Sequence, residues 1–147
     1  MITLNILKLL ENNGFGTLML TGTETGQNKL WHEKLPVKEF GVYIMSRGDP
    51  IVRGGLITQS FDLYARERND LDGANRLEAI LDFFGKECYP VCALPAVPKP
   101  DESGEFYSPA YKTSTIVPTF NINNVGVDST DRVIYLASAQ VTYKKEN

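Results

Sequence analysis

The chain has 147 residues, with 15 Lys or Arg and 18 Asp or Glu, so its formal net charge is −3. This length fits one domain, assigned to residues 1–147, and is enough to bury a core without a metal or disulfide. The acidic balance argues against a protein that grips duplex DNA, although DNA could pass nearby without specific binding. No apolar run approaches the roughly 18–20 residues of a membrane span, and we expect neither a signal peptide nor a membrane partner.

The first predicted element is a short N-terminal helix, with Leu or Ile recurring every three residues. Thr3 is a candidate N-cap, and Asn13-Gly14 is a typical helix stop. Residues 17–20 then predict a short strand. Residues 21–28 predict a polar, Gly-containing loop, which carries Glu24, Gln27 and Asn28.

Two strands are predicted in the middle of the chain. Residues 40–45 form an apolar run, and Arg47-Gly48-Asp49-Pro50 after it predicts a turn. Residues 56–66 alternate strictly, which indicates one face on a core and one toward water or a partner. The apolar face holds Ile57, Phe61, Leu63 and Ala65, with Gln59 as its single polar residue; the polar face holds Thr58, Ser60, Asp62, Tyr64 and Arg66.

The strand at 56–66 leads directly into the clearest predicted helix. Apolar residues recur at three-and-four spacing from Leu71 to Phe84, Asp70 or Asp72 is a candidate N-cap, and Gly85 is the expected end. Charges of both signs surround this junction: Arg66, Arg68 and Arg76, with Asp62, Glu67, Asp70 and Asp72. They form either a solvated junction or a subunit interface, where alternating charges fix register.

The chain has two cysteines, Cys88 and Cys92. Residues 88–94 predict a strand, with Pro90 favouring an edge or entry position. On one extended strand the two Cα atoms would lie about 13 Å apart, beyond the reach of a disulfide. We therefore expect two free, packed thiols in a reducing compartment.

The remaining residues predict a long loop and a hairpin. Residues 95–109 hold four prolines and the acidic residues Asp101, Glu102 and Glu105, without periodicity. Residues 114–122 and 132–143 are rich in β-branched and aromatic residues, and residues 121–131 supply a turn between them. The predicted fold class is α+β, with a mostly antiparallel β-sheet, one main helix packed across it and a short N-terminal helix.

The sequence carries little that could support catalysis. The single histidine, His32, stands beside Trp31. Its pairing with Cys88 or Cys92 has no local signature. Zinc-ligand spacings are missing, and residues 22–29 depart from the phosphate-binding loop pattern. We predict no catalytic residues, no cofactor and no metal.

Residues 54–66, leading into residues 71–81, carry a family resemblance. A turn, a long strand and an acid-capped helix follow one another here, and the segment resembles the minor capsid and tail terminator proteins of long-tailed bacteriophages. The N-terminal helix, the central strand pair and the β-rich last third fit the same layout. The resemblance implies a structural protein, not an enzyme, which assembles as a hexameric ring.

The family's role implies the partners and the location. The ring caps the last ring of the tail tube, stops polymerisation and presents a surface to the head connector, while DNA passes through without specific binding. The protein would be made in the host cytoplasm and reside at the head-proximal end of the virion tail.

The candidate site residues follow from this implied role. As the subunit interface we propose Asp62, Tyr64, Arg66, Arg68 and Arg76. As loops that dock on the tube or connector we propose those carrying Glu24, Gln27, Asn28, Asp101, Glu102 and Glu105. Two alternatives stay open: a head-completion or stopper protein between portal and tail, and a small cytoplasmic enzyme that uses a cysteine thiolate.

Overall fold

Seven strands form one sheet, and two helices pack on it, in a computed structural model that describes residues 2–144. The sheet order is β1-β2-β3-β4-β9-β8-β5; β1, β2 and β3 pair in parallel and the other neighbours pair antiparallel. The predicted α+β class is confirmed. The elements are α1 Ile2–Asn12, β1 Thr17–Leu18, β2 Lys29–His32, β3 Gly41–Arg53, β4 Leu56–Arg66, α2 Asp70–Glu87, β5 Cys92–Leu94, β6 Val97–Pro98, β7 Phe106–Ser108, β8 Tyr111–Val127 and β9 Val133–Lys144.

The core lies between the two helices and one face of the sheet. Helix α1 contributes a leucine and isoleucine stripe, and α2 contributes Leu77, Ile80 and Phe84. The apolar face of β4 meets them with Phe61 and Leu63, which are fully buried. Because successive side chains alternate, the polar residues of β4 lie on the opposite face, away from both helices.

The predicted turn at Arg47-Gly48-Asp49-Pro50 is wrong. These residues lie within β3, where the register against β4 shifts between Arg47 and Ile51. The chain instead reverses at Gly54 and Gly55, whose φ angles of 57° and 81° suit glycine. The buried Gln59 side chain supports the bulge, because its Nε2 donates to the carbonyl oxygens of Arg47 and Gly48.

Helix boundaries differ from the predictions at three places. Asn69, not Asp70 or Asp72, caps α2, because its side chain accepts a hydrogen bond from the amide of Leu71 at 3.0 Å. The helix continues past Gly85 to Glu87. Thr3 lies inside α1 and its hydroxyl meets His32 at 2.8 Å, so it is not a cap.

The predicted strand at 88–94 is shorter than expected. Cys88 is the C-cap of α2, where its amide donates to the carbonyl of Phe84 at 3.0 Å, and only Cys92–Leu94 forms a strand. The two cysteines therefore lie on different elements. The estimate of about 13 Å between them, which assumed one extended strand, does not apply.

The segment 95–109, expected to be an irregular loop, contains the small β6–β7 sheet. Asn5 of α1 holds both of its ends. The Asn5 Nδ2 donates to the carbonyls of Pro95 and Pro109 at 2.9 and 2.8 Å, and its Oδ1 accepts from the Ser108 hydroxyl at 2.6 Å. A buried polar side chain in an apolar helix is thereby satisfied.

The predicted C-terminal hairpin is confirmed, but its strands are longer than expected. Strand β8 runs to Val127 and pairs with β9 across three register irregularities. Most of the predicted turn at 121–131 is therefore strand. The reversal occurs between Asp128 and Arg132, where the Asp128 carboxylate accepts hydrogen bonds from the Thr130 amide and hydroxyl.

Candidate assembly interface

The face of the sheet that points away from the helices carries two of the predicted interface residues. Tyr64 stacks on Tyr43 with ring centroids 4.8 Å apart and an interplanar angle of 10°. Asp62 accepts from Arg47 Nε at 3.1 Å and from the Ser138 hydroxyl at 2.6 Å. A cleft of about 430 Å³ on this face is lined by Arg47, Asp62, Ser138 and Phe120, among others. This open face offers aromatic, apolar and paired charged groups to a partner.

Arg66 does not share the exposure of this face. Its side chain is only 8% exposed, and its guanidinium donates to the Asp128 carboxylate and to the carbonyls of Pro36 and Glu39. All of these groups belong to its own chain. Arg66 therefore holds the β4 end against the loops before β3 and after β8, and its predicted place in a subunit interface stays a prediction.

The other two interface arginines lie with two loop residues around a second cleft. This cleft of about 400 Å³ brings Gln27 and Asn28 together with Arg68 and Arg76. Arg68 lies over the Phe40 ring, with its Cζ 4.9 Å from the ring centroid. The structure thus places two predicted interface arginines beside two residues of the predicted docking loop at 21–28.

Glu67 lies at the bottom of the same cleft. Its side chain is 10% exposed, and Oε1 lies 2.9 Å from the Arg76 Nε. Desolvation by burial raises the pKa of Glu67, and this effect exceeds the opposing attraction of Arg76. The pair is therefore poorly solvated, which favours a partner that supplies further polar contacts.

Glu24 has a structural role in its loop. Its carboxylate accepts hydrogen bonds from the amides of Leu20, Thr21 and Gly22 at 2.9–3.1 Å. Burial by itself would raise the pKa of Glu24, but these hydrogen bonds outweigh it and lower the pKa. The polar loop predicted at residues 21–28 is therefore closed on its own acidic residue.

The acidic residues of the second predicted docking loop lie at the β6–β7 tip. Asp101, Glu102 and Glu105 are all exposed. Glu105 pairs with Lys99 at 3.2 Å, and Asp101 accepts from the Ser103 amide at 3.1 Å. The tip is thus a tight, solvent-facing acidic turn, held at its base by Asn5.

Two strand edges were missed by the sequence analysis. Strand β2 pairs with β3 only at Val42–Ile44, and β5 pairs with β8 only at Tyr111 and Ser114. Within residues 2–144, the outer edges of β3 from 45 to 53 and of β8 from 117 to 127 pair with no further strand. Such edges present free backbone donors and acceptors.

Exposed apolar side chains accompany both edges. Near the β3 edge they are Ile51, Val52 and Leu56, which are 46–65% exposed; along β8 they are Val117, Phe120, Val125 and Val127, which are 41–61% exposed. One sequence signal could have found the second edge, since residues 113–127 contain no charged residue.

The candidate catalytic groups, His32 and the two cysteines, interact with other side chains of the protein. His32 Nε2 lies 2.8 Å from the Thr3 hydroxyl, and burial lowers the pKa of His32. The two thiols influence each other, since Cys92 raises the pKa of Cys88 and Cys88 lowers the pKa of Cys92. In the part of the chain that the structure describes, no cluster of three or more metal-binding side chains occurs, and neither helix is long and apolar enough to cross a membrane.

These observations define an α+β protein whose large, mostly antiparallel sheet has one open face and, within residues 2–144, long unpaired edge segments on β3 and β8. Comparison with known proteins adds no family to this class. A scan against protein-family models found no match, and a search of curated proteins found no significant similarity.

Proposed function

We propose that the protein is a ring-forming tail terminator of a long-tailed phage or prophage, as the resemblance over residues 54–81 implies. In this role it caps the tail tube, ends its polymerisation and offers a surface to the head connector. The observation that carries the proposal is the pair of free edges on two different strands, β3 and β8.

Edges on different strands support a cyclic assembly. Neighbouring strands alternate in direction along β3-β4-β9-β8, so β8 runs opposite to β3. The β8 edge of one copy can therefore pair antiparallel with the β3 edge of a second copy placed the same way round. Because this contact joins two unlike surfaces, it leads to a ring or a filament and not to a closed dimer.

The surface around the edges supports the same assembly. The free edge of β8 carries no charged residue and several exposed valines. An edge of this composition favours pairing with another strand over exposure to water. Irregularities in β8 and Pro50 in β3 discourage indiscriminate pairing, which agrees with association that needs a matched partner. The net charge of −3 is consistent with DNA passing without being bound.

Light scattering after size exclusion, over a concentration series and at two salt strengths, tests the ring. We expect a mass near six subunits, and ring-shaped particles in electron micrographs of that peak. A Val125→Lys variant places a charge at the β8 edge and should shift the mass to one subunit. Val37→Lys, at a 73% exposed position between β2 and β3, is the matched control and should leave the ring intact.

A monomeric result leads to a second measurement, because some rings form only on their template. Purified tail tubes should then sediment together with the wild-type protein and with the Val37→Lys variant. Failure to bind tubes, combined with a monomeric mass at every concentration, would overturn the proposal. Particles produced without the protein separate the two virion roles: overlong tails indicate a terminator, and normal tails with unattached heads indicate a stopper.

A further inference from the structure

Strand β8 holds both cysteines close to each other. Cys92 is the Cα partner of Ser114 in the β5–β8 pairing, and the carbonyl of Cys88 accepts the amide of Ile116 at 3.1 Å. Ser114 and Ile116 are two residues apart on one strand, which is about 7 Å. Both cysteines are therefore tied to positions of β8 that are two residues apart, although one ends a helix and the other begins a strand.

The side chains of the two cysteines are neighbours. Each thiol shifts the pKa of the other, and Cys88 is fully buried in the core while Cys92 is partly exposed. The segment between them is short and pinned by the Thr115 hydroxyl, which donates to the Pro90 carbonyl at 2.7 Å. The two positions of β8 that anchor them are about 7 Å apart, close to the upper end of the roughly 4.4–6.8 Å that separates bridged Cα atoms.

We propose that Cys88 and Cys92 form a reversible redox site, which a small-molecule disulfide such as oxidised glutathione converts to an intramolecular disulfide. The Cys92 thiolate attacks one sulfur of glutathione disulfide, the S–S bond breaks, and one glutathione leaves as a thiolate. The Cys88 thiol then loses its proton, and its sulfur attacks the Cys92 sulfur of the mixed disulfide. The second glutathione leaves, so two protein thiols are oxidised while one glutathione disulfide is reduced to two thiols.

The surroundings of the two cysteines indicate which one attacks glutathione disulfide and which one resolves the mixed disulfide. The neighbouring Cys88 thiol lowers the pKa of Cys92, whereas the Cys92 thiol and burial raise the pKa of Cys88. A low thiol pKa with access to solvent marks the attacking cysteine, whereas a buried neighbouring thiol serves to resolve the mixed disulfide. Only Cys92 has to be accessible to glutathione, and the buried Cys88 does not. This inference is independent of the proposed role in tail assembly.

The test exposes the reduced full-length protein to oxidised glutathione, blocks the remaining thiols with N-ethylmaleimide in denaturant and measures the intact mass. The expected product has lost two hydrogen atoms and carries neither maleimide nor glutathione. A digest should yield a peptide with an internal bond between residues 88 and 92. Dithiothreitol should restore two reactive thiols.

Two variants make the sequence of steps testable. Cys88→Ser should accumulate a glutathione adduct at Cys92, because the resolving thiol is lost, and Cys92→Ser should stay unmodified. The wild-type result does not depend on either variant folding. Persistence of both free thiols, accumulation of the glutathione adduct in the wild type, or disulfide-linked dimers in place of the internal bond would each overturn the proposal.

Discussion

The guanidinium of Arg66, at the end of β4, pairs with the carboxylate of Asp128, at the turn after β8, across 62 residues of sequence. Both side chains are largely buried, with 8% and 21% exposed. The contact joins the end of the central strand to the C-terminal hairpin. Removing this ion pair therefore tests how strongly it holds these two parts of the sheet together.

The Arg66–Asp128 pair predicts a specific dependence of stability on pH. Burial by itself would raise the pKa of Asp128, but hydrogen bonds from Thr130, Arg66 and Arg132 outweigh it and hold the pKa well below the usual value. A depressed carboxyl pKa gives stability that is fully present above the unfolded pKa of about 4 and is lost progressively as pH falls from there toward the depressed pKa of the folded state. Asp128→Asn should therefore lower the free energy of unfolding by about 2 kcal/mol at pH 7.

Urea denaturation at pH 7 and pH 3 checks this expectation. The difference between Asp128→Asn and the wild type should shrink at pH 3, where Asp128 of the unfolded wild type takes up a proton and part of the stabilisation is lost. Asp82→Asn removes the same charge from an exposed position of α2 and is the matched control. An equal loss of stability in both variants would contradict the role of the pair.

Glu67 predicts the opposite dependence on pH. Burial raises its pKa, so the folded state binds a proton more tightly than the unfolded state. Stability should therefore rise as pH falls from 7 toward the ordinary glutamate value. Glu67→Gln should abolish this rise, and its cost at pH 7 should be small, because folding disfavours the charged carboxylate and Arg76 keeps 28% of its side chain exposed to water. Thermal unfolding between pH 5 and pH 7, with exposed Glu78→Gln as the control, is the measurement. A large loss in Glu67→Gln at pH 7 would show that the ion pair is strongly stabilising.

Two glycines of α2 form a natural matched pair. A Cβ at Gly85 would meet nothing within 4 Å, so Gly85→Ala should stabilise the protein by about 0.5–1 kcal/mol through helix propensity. A Cβ at Gly73 would lie 3.1 Å from the Tyr135 ring and 3.5 Å from the Ala65 Cβ. Gly73→Ala should lose this gain because the helix must move away from the sheet. Denaturation midpoints of the two variants give the comparison, and an equal gain at Gly73 would mean that the helix packs more loosely against β4 and β9.

Asn5 should control the β6–β7 hairpin from a distance of about a hundred residues in sequence. Asn5→Ala leaves the carbonyls of Pro95 and Pro109 and the buried Ser108 hydroxyl without their partner, at a cost of about 3 kcal/mol. Amide hydrogen exchange should accelerate over residues 97–108 more than elsewhere. Asn12→Ala, at an exposed position of the same helix, is the control and should leave both quantities unchanged. Uniform acceleration across the chain would mean that Asn5 stabilises the whole core and not the hairpin.

Local periodicity was enough to predict several elements. Strand β4 spans Leu56–Arg66 as the alternation predicted, including the burial of Gln59, because each of its side chains faces either the helices or the open face. The apolar stripe of α2 predicted residues that the structure places in the core, namely Leu77, Ile80 and Phe84. The prediction failed at the boundaries, where a turn signal at residues 47–50 was outweighed by strand pairing with β4. The candidate site was predicted only in part, since nothing local distinguishes the buried Arg66 from the exposed Arg68.

The sequence by itself determined the α+β class, the central strand, the main helix and the C-terminal hairpin, because alternation and helical spacing are properties of neighbouring residues. Only the tertiary structure decided which strand edges stay unpaired, which charges pair inside the chain and that the two thiols are neighbours. Those features depend on strand order and on contacts between distant residues. The positions of the free β3 and β8 edges follow from how short β2 and β5 are beside their long partners.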